Sequence, residues 1–123
     1  MYELKIVSQF AAAHQLREYR GGCENLHGHN WKIEVFVKGE KLGPDGLLID
    51  FRLIKTATQK VLNDLDHAFL NELDHFTEIN PSSENIARYI YEFLDRELTG
   101  GQVRVSRVCA WESDTACASY YGE

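Results

Sequence analysis

The 123-residue sequence has three cysteines, two prolines and no long apolar run. An odd cysteine count argues against a disulfide framework. No segment approaches the roughly 20 apolar residues that a membrane helix needs, and no run of Lys or Arg follows a phosphate backbone, so membrane spanning and nucleic-acid binding are disfavoured. The net charge of −6 means that an anionic small molecule would have to be met by locally gathered cations. Internal repeats and low-complexity linkers are absent. The opening Met1-Tyr2-Glu3-Leu4-Lys5 has no hydrophobic signal core, and a cytoplasmic location is expected. With 44% hydrophobic and 26% charged residues, the composition suits a folded globular chain, and the length suits one domain over residues 1–123.

What is present is periodic. Over residues 2–14, Tyr2, Leu4, Ile6, Phe10 and Ala12 share one parity while Glu3, Lys5 and Gln9 share the other, which predicts a strand. Gly21-Gly22 lies in a polar loop over 15–26. Alternation resumes from His29 to Val37, with Phe36 out of phase. Helical spacing then marks Phe51, Ile54, Thr58, Val61, Leu62 and Leu65, with Asp50 as N-cap. A second helix follows Pro81, capped by Ser82 or Ser83, and carries Ile86, Ile90, Phe93 and Leu94 before Gly100-Gly101 ends it. Strands near 102–112 and 115–121 complete the order β-β-α-α-β-β. This predicts an α+β fold in which two helices cover one face of an antiparallel sheet. The third strand has apolar residues at both parities, Val103, Val105, Cys109 and Trp111 against Val108 and Ala110, which predicts further burial in an oligomer. Cys109 and Cys117 flank a turn and read as small buried hydrophobes.

The phase of the histidines carries the chemistry. His14 shares the parity of Phe10 and Ala12, and His27 and His29 share that of Trp31 and Ile33. Antiparallel pairing across the 15–26 loop would bring all three rings to one end of one sheet face. Three neutral imidazoles leave a fourth position open, as in a catalytic zinc site, although ligand type alone also admits iron, nickel or copper. A single histidine on such a face is ordinarily a satisfied core residue; three in matching phase favour a metal.

Cys23 stands four residues before His27, where a thiolate would serve as base or nucleophile, or close the metal site as a fourth ligand. Asp66-His67 at the first helix end would suit proton transfer, or a structural role at a helix terminus. Glu112 has the parity of Val108 and Ala110 and should point inward. Such a carboxylate needs donors, either a guanidine-like pair of N–H groups or an internal Arg. Arg17, Arg20, Lys32, Arg104 and Arg107 are candidates to receive a phosphate chain.

Together, His14, Cys23-Glu24-Asn25-Leu26-His27-Gly28-His29-Asn30, Asp50-Phe51, Leu65-Asp66-His67, Pro81-Ser82-Ser83-Glu84-Asn85 and Trp111-Glu112 resemble the 6-pyruvoyl-tetrahydropterin synthase / 6-carboxy-tetrahydropterin synthase family over essentially the whole chain. The resemblance implies the tunnelling fold, assembled as a homohexamer of two stacked trimers with active sites between subunits. It implies Zn2+ on His14, His27 and His29, Cys23 as catalytic thiol with Asp66 and His67 as relay partners, and Glu112 holding the 2-amino and N3 edge of a pterin. The three-residue spacing between Cys23 and His27 resembles the short carboxy-type enzymes. They convert 7,8-dihydroneopterin triphosphate to 6-carboxy-5,6,7,8-tetrahydropterin, acetaldehyde and triphosphate in queuosine biosynthesis. The alternatives are a pyruvoyl-type synthase and a non-enzymatic zinc module with Cys23 as fourth ligand. A branch that puts glutamate in place of the cysteine makes a folate precursor.

Overall fold

A computed structural model describes residues 1–18 and 25–122. Strands β1 (Tyr2–His14) and β2 (His27–Gly39), helices α1 (Phe51–Leu65) and α2 (Ser83–Leu98), and strands β3 (Val103–Ser113) and β4 (Ala116–Tyr121) follow in that order. The four strands form one antiparallel sheet in the order β1-β2-β3-β4. This is the expected α+β architecture. Two short 3-10 turns, Leu70–Glu72 and Asp74–Phe76, lead from α1 towards α2; their weak periodicity gives no sign of them in the sequence.

Both helices lie on one face. α1 packs on β1, and α2 on β3 and β4. Between helices and sheet lie Ile6, Phe10, Trp31, Ile33 and Val35 from the strands, with Ile54, Val61, Leu62 and Leu65 from α1 and Ile86, Ile90 and Leu94 from α2. Phe51, expected on the buried stripe of α1, is half exposed: as the first helical residue it overhangs the end of the core. Asp50 accepts the Arg52 N–H as N-cap, and Ser82 accepts the N–H of Asn85. A Ser82→Ala variant is expected to lose about 1 kcal/mol, read as a lower denaturant midpoint at unchanged slope.

The mixed parity of β3 has a local cause. Phe36 pairs with Arg107 but Val37 pairs with Val105, so Ser106 is an extra residue in the ladder. Inserting one residue moves the following side chains to the other face. Val105 before the bulge and Val108 and Ala110 after it therefore all enter the same core. The mixed parity of Val105 against Val108 and Ala110 is thus a single buried face. Only Cys109 and Trp111 lie on the outer face, Trp111 donating to Glu34 at 2.6 Å with the Lys32 ammonium 4.6 Å above its ring. Phe36, out of phase in the sequence, lies on that face too, with the Arg107 guanidinium 3.9 Å above it. Cys117 is exposed rather than buried and stands opposite Trp111, not Cys109.

Candidate metal centre

β1 and β2 pair in the register that sets His14 opposite His27 and Ala12 opposite His29. The inward phase of these positions brings three imidazoles to the end of the sheet, with ring centroids 4.5–5.0 Å apart. Beneath them Trp31, fully buried, meets His14 and His29 edge-on and stacks on Phe10. The aromatic floor limits where the rings can turn.

Backbone carbonyls select the tautomers. His14 Nδ1 donates to Pro81 O at 2.8 Å and His27 Nδ1 to Asn25 O at 2.9 Å, since a carbonyl can only accept. In the neutral rings this leaves both Nε2 lone pairs facing the centre, the outer-shell arrangement typical of metal-binding histidines.

Glu112 supplies the fourth group. Its Oε1 lies 2.9 Å from His29 Nε2, 3.6 Å from His14 Nε2 and 3.7 Å from His27 Nε2. The four ligand atoms all fall within 4.8 Å of one another, and the set is able to hold a metal ion. The donor chemistry fits: a carboxylate oxygen facing nitrogen lone pairs is repelled unless a proton or a metal cation lies between them, and His14 Nε2 is buried with no hydrogen bond. Among the described residues the partners of Glu112 are these rings and Ser83, whose Oγ donates to Oε2 at 3.1 Å, and no described Arg is paired with it.

Asp66 and His67 stand apart from this group, at the outer edge of β1. Asp66 Oδ1 accepts the Ala11 N–H at 2.9 Å, and His67 N donates to Ala11 O at 2.6 Å. Asp66 Oδ2 is 3.0 Å from His67 Nδ1, the ring 83% exposed and the backbone left-handed at φ 57°. The Ala11 N–H, assisted by the His67 ring, outweighs desolvation and holds the Asp66 carboxyl below its usual value. His67 lines a cleft of about 500 Å³ with Ala11–Ala13, Gly28–Asn30, Ala68 and Phe69. Cys23 and Arg20 lie outside the described residues.

Arg17, one of the five candidate cations, has its guanidinium engaged by backbone carbonyls. Its guanidinium donates to Phe76 O at 2.7 Å and to Asn71 O and Ile79 O at 3.1 Å, while its backbone N–H and C=O pair with the Asn80 side chain. This long-range clamp, without a local sequence signal, ties the exit of β1 to the segment that carries Pro81. An Arg17→Ala variant is therefore expected to melt several degrees lower, with the Michaelis constant for substrate changed less than about threefold.

The comparisons agree with this geometry. The family model described as 6-pyruvoyl tetrahydropterin synthase matches residues 3–123. The chain is 30% identical over 142 residues to the 6-carboxy-5,6,7,8-tetrahydropterin synthase of Haemophilus influenzae, covering 98% of this chain and 99% of that protein. It is 36% identical over 107 residues to the dihydroneopterin monophosphate aldolase of Pyrococcus furiosus, covering 87% and 86%. The solved structure of Caenorhabditis elegans 6-pyruvoyl tetrahydropterin synthase superposes with a TM-score of 0.88 at 25% identity, covering 99% of this chain and 96% of that one. With fold, histidine register and sequence in agreement from one end to the other, the chain belongs to the 6-pyruvoyl tetrahydropterin synthase family and is an enzyme of the tetrahydropterin synthase type.

Proposed function

We propose that the chain is a zinc-dependent 6-carboxy-5,6,7,8-tetrahydropterin synthase. It would convert 7,8-dihydroneopterin triphosphate to 6-carboxytetrahydropterin, acetaldehyde and triphosphate, in the cytoplasmic route to 7-deazaguanine bases such as queuosine. The observation that carries this reading is the convergence of three imidazoles and one carboxylate at the end of the sheet. Relatives named 6-carboxy-5,6,7,8-tetrahydropterin synthase support the choice within the family, as does the spacing of Cys23 and His27.

His14, His27 and His29 would hold the zinc, which when bound supplies Lewis-acid polarisation of the substrate side-chain oxygens. The chain's own groups do the rest. Cys23 removes a proton from the side-chain carbon. Asp66, 3.0 Å from Nδ1, orients the His67 ring so that its other nitrogen takes or returns a proton. Glu112 offers two oxygens to the parallel N–H groups of a pterin edge. The exposure of His67, outside the metal group, supports a site completed by a neighbouring copy. β4 is an edge strand with Cys117 and Tyr121 exposed, which supports strand-to-strand assembly into a homohexamer of two trimers, each chain acting as one tunnelling-fold domain over residues 1–123.

The Pyrococcus relative favours a second reading, aldol cleavage of a dihydroneopterin phosphate. The chemistries separate cleanly. Aldol cleavage leaves the ring at the dihydro level, whereas the synthase reaction reduces it. Incubation with 7,8-dihydroneopterin triphosphate, followed by mass spectrometry, is expected to yield acetaldehyde and 6-carboxytetrahydropterin. A dihydropterin product would support the aldolase, and pyruvoyl-tetrahydropterin the pyruvoyl-type synthase.

A further inference from the structure

We infer that Glu112 is a ligand of the metal in the substrate-free enzyme and gives up that contact when a pterin enters. Its placement is built into the strand. Trp111 pairs with Cys117 and Ser113 with Ala116, so Glu112 is the unpaired residue of a second bulge in β3. Bulges are common beside functional sites, where they end the regular pairing. The neighbouring Trp111 is pinned on the outer face by Glu34 and Lys32, and Glu112 keeps the inward alternation of Val108 and Ala110.

The distances suit ligation. Bonds of about 2.0–2.1 Å in a tetrahedron put neighbouring ligand atoms about 3.3–3.4 Å apart. Oε1 lies 2.9, 3.6 and 3.7 Å from the three Nε2 atoms, bracketing that value. Only one carboxylate oxygen faces the rings; the other is held by Ser83 Oγ in the first turn of α2. This is the monodentate, outer-shell-supported pose of a metal-bound carboxylate.

The same carboxylate cannot also offer both oxygens to a pterin edge. The exchange therefore rests on the function proposed above, while the ligand contact does not. Two features allow the carboxylate to leave. Its side chain is 35% exposed, and Ser83 is a single neutral donor rather than a locking cation. The site is thus closed at rest and opened by the molecule it acts on, which would keep solvent anions from the metal.

The test is zinc affinity by chelator competition, in the wild type and in Glu112→Gln, first without ligand and then with saturating neopterin. Without ligand the Gln variant is expected to bind zinc about 10- to 100-fold more weakly. Equal affinity within twofold would overturn the ligand contact. Matching urea midpoints of the two metal-free proteins show that the variant folds, and His29→Ala marks the loss expected of an imidazole ligand. With neopterin bound, the difference is expected to shrink below about threefold, since the carboxylate has left the metal in the wild type as well. Persistence of the full difference would overturn the exchange. Failure of neopterin to bind would overturn the exchange together with the pterin reading, the ligand contact being judged by the first titration alone.

Discussion

Replacing His14 by alanine is expected to abolish both metal binding and turnover. The ring is 1% exposed, donates to Pro81 O and presents Nε2 to the centre. Zinc content should fall from about one per chain to below about one tenth. Removing Lewis-acid stabilisation of several kcal/mol corresponds to a loss of about 10³-fold or more in kcat/KM. The same variant leaves Pro81 O without its donor in a buried place, at a cost of about 1–3 kcal/mol in stability. His29→Ala separates the two effects, because its side chain is more exposed than that of His14, 23% against 2%. Loss of zinc and activity in both variants, with a marked fall in Tm only for His14→Ala, is the expected pattern. A zinc-replete, active His29→Ala protein would contradict the assignment.

Cys23→Ala should give the complementary result. Zinc binding is expected to stay near the wild-type level, while turnover falls by about 10²–10⁴-fold, the usual contribution of a positioned proton-transfer group. Pterin affinity, read by fluorescence titration, should change little. Wild-type turnover in this variant would remove the thiol from the mechanism. A large loss of zinc would instead make Cys23 a ligand and the centre a structural one.

The site was legible largely because it follows strand period. Parity alone placed His14, His27 and His29 on the core face, and the observed pairing of His14 with His27 completes the geometry. Asp50 and Ser82 were legible as caps because capping is local chemistry. The inward aim of Glu112 could be read from its parity, but its partners could not, since they arrive from β1, β2 and α2. The bulge at Ser106 was hidden for a different reason. One inserted residue leaves no compositional trace, so the shared inward face of Val105, Val108 and Ala110 is not legible from parity. The structural use of Arg17 is not legible among the five candidate cations, because its three carbonyl acceptors lie more than fifty residues away along the chain. Phe36 broke the alternation for a physical reason, its ring serving as a platform for the Arg107 guanidinium on the outer face.

One catalytic metal is expected between three imidazoles and an oxygen ligand. Zinc K-edge X-ray absorption on the purified, substrate-free protein tests it most directly. Three nitrogen scatterers and one oxygen at about 2.0–2.1 Å are expected, with one zinc per chain. A sulfur scatterer at about 2.3 Å, or zinc well below one per chain after reconstitution, would contradict it.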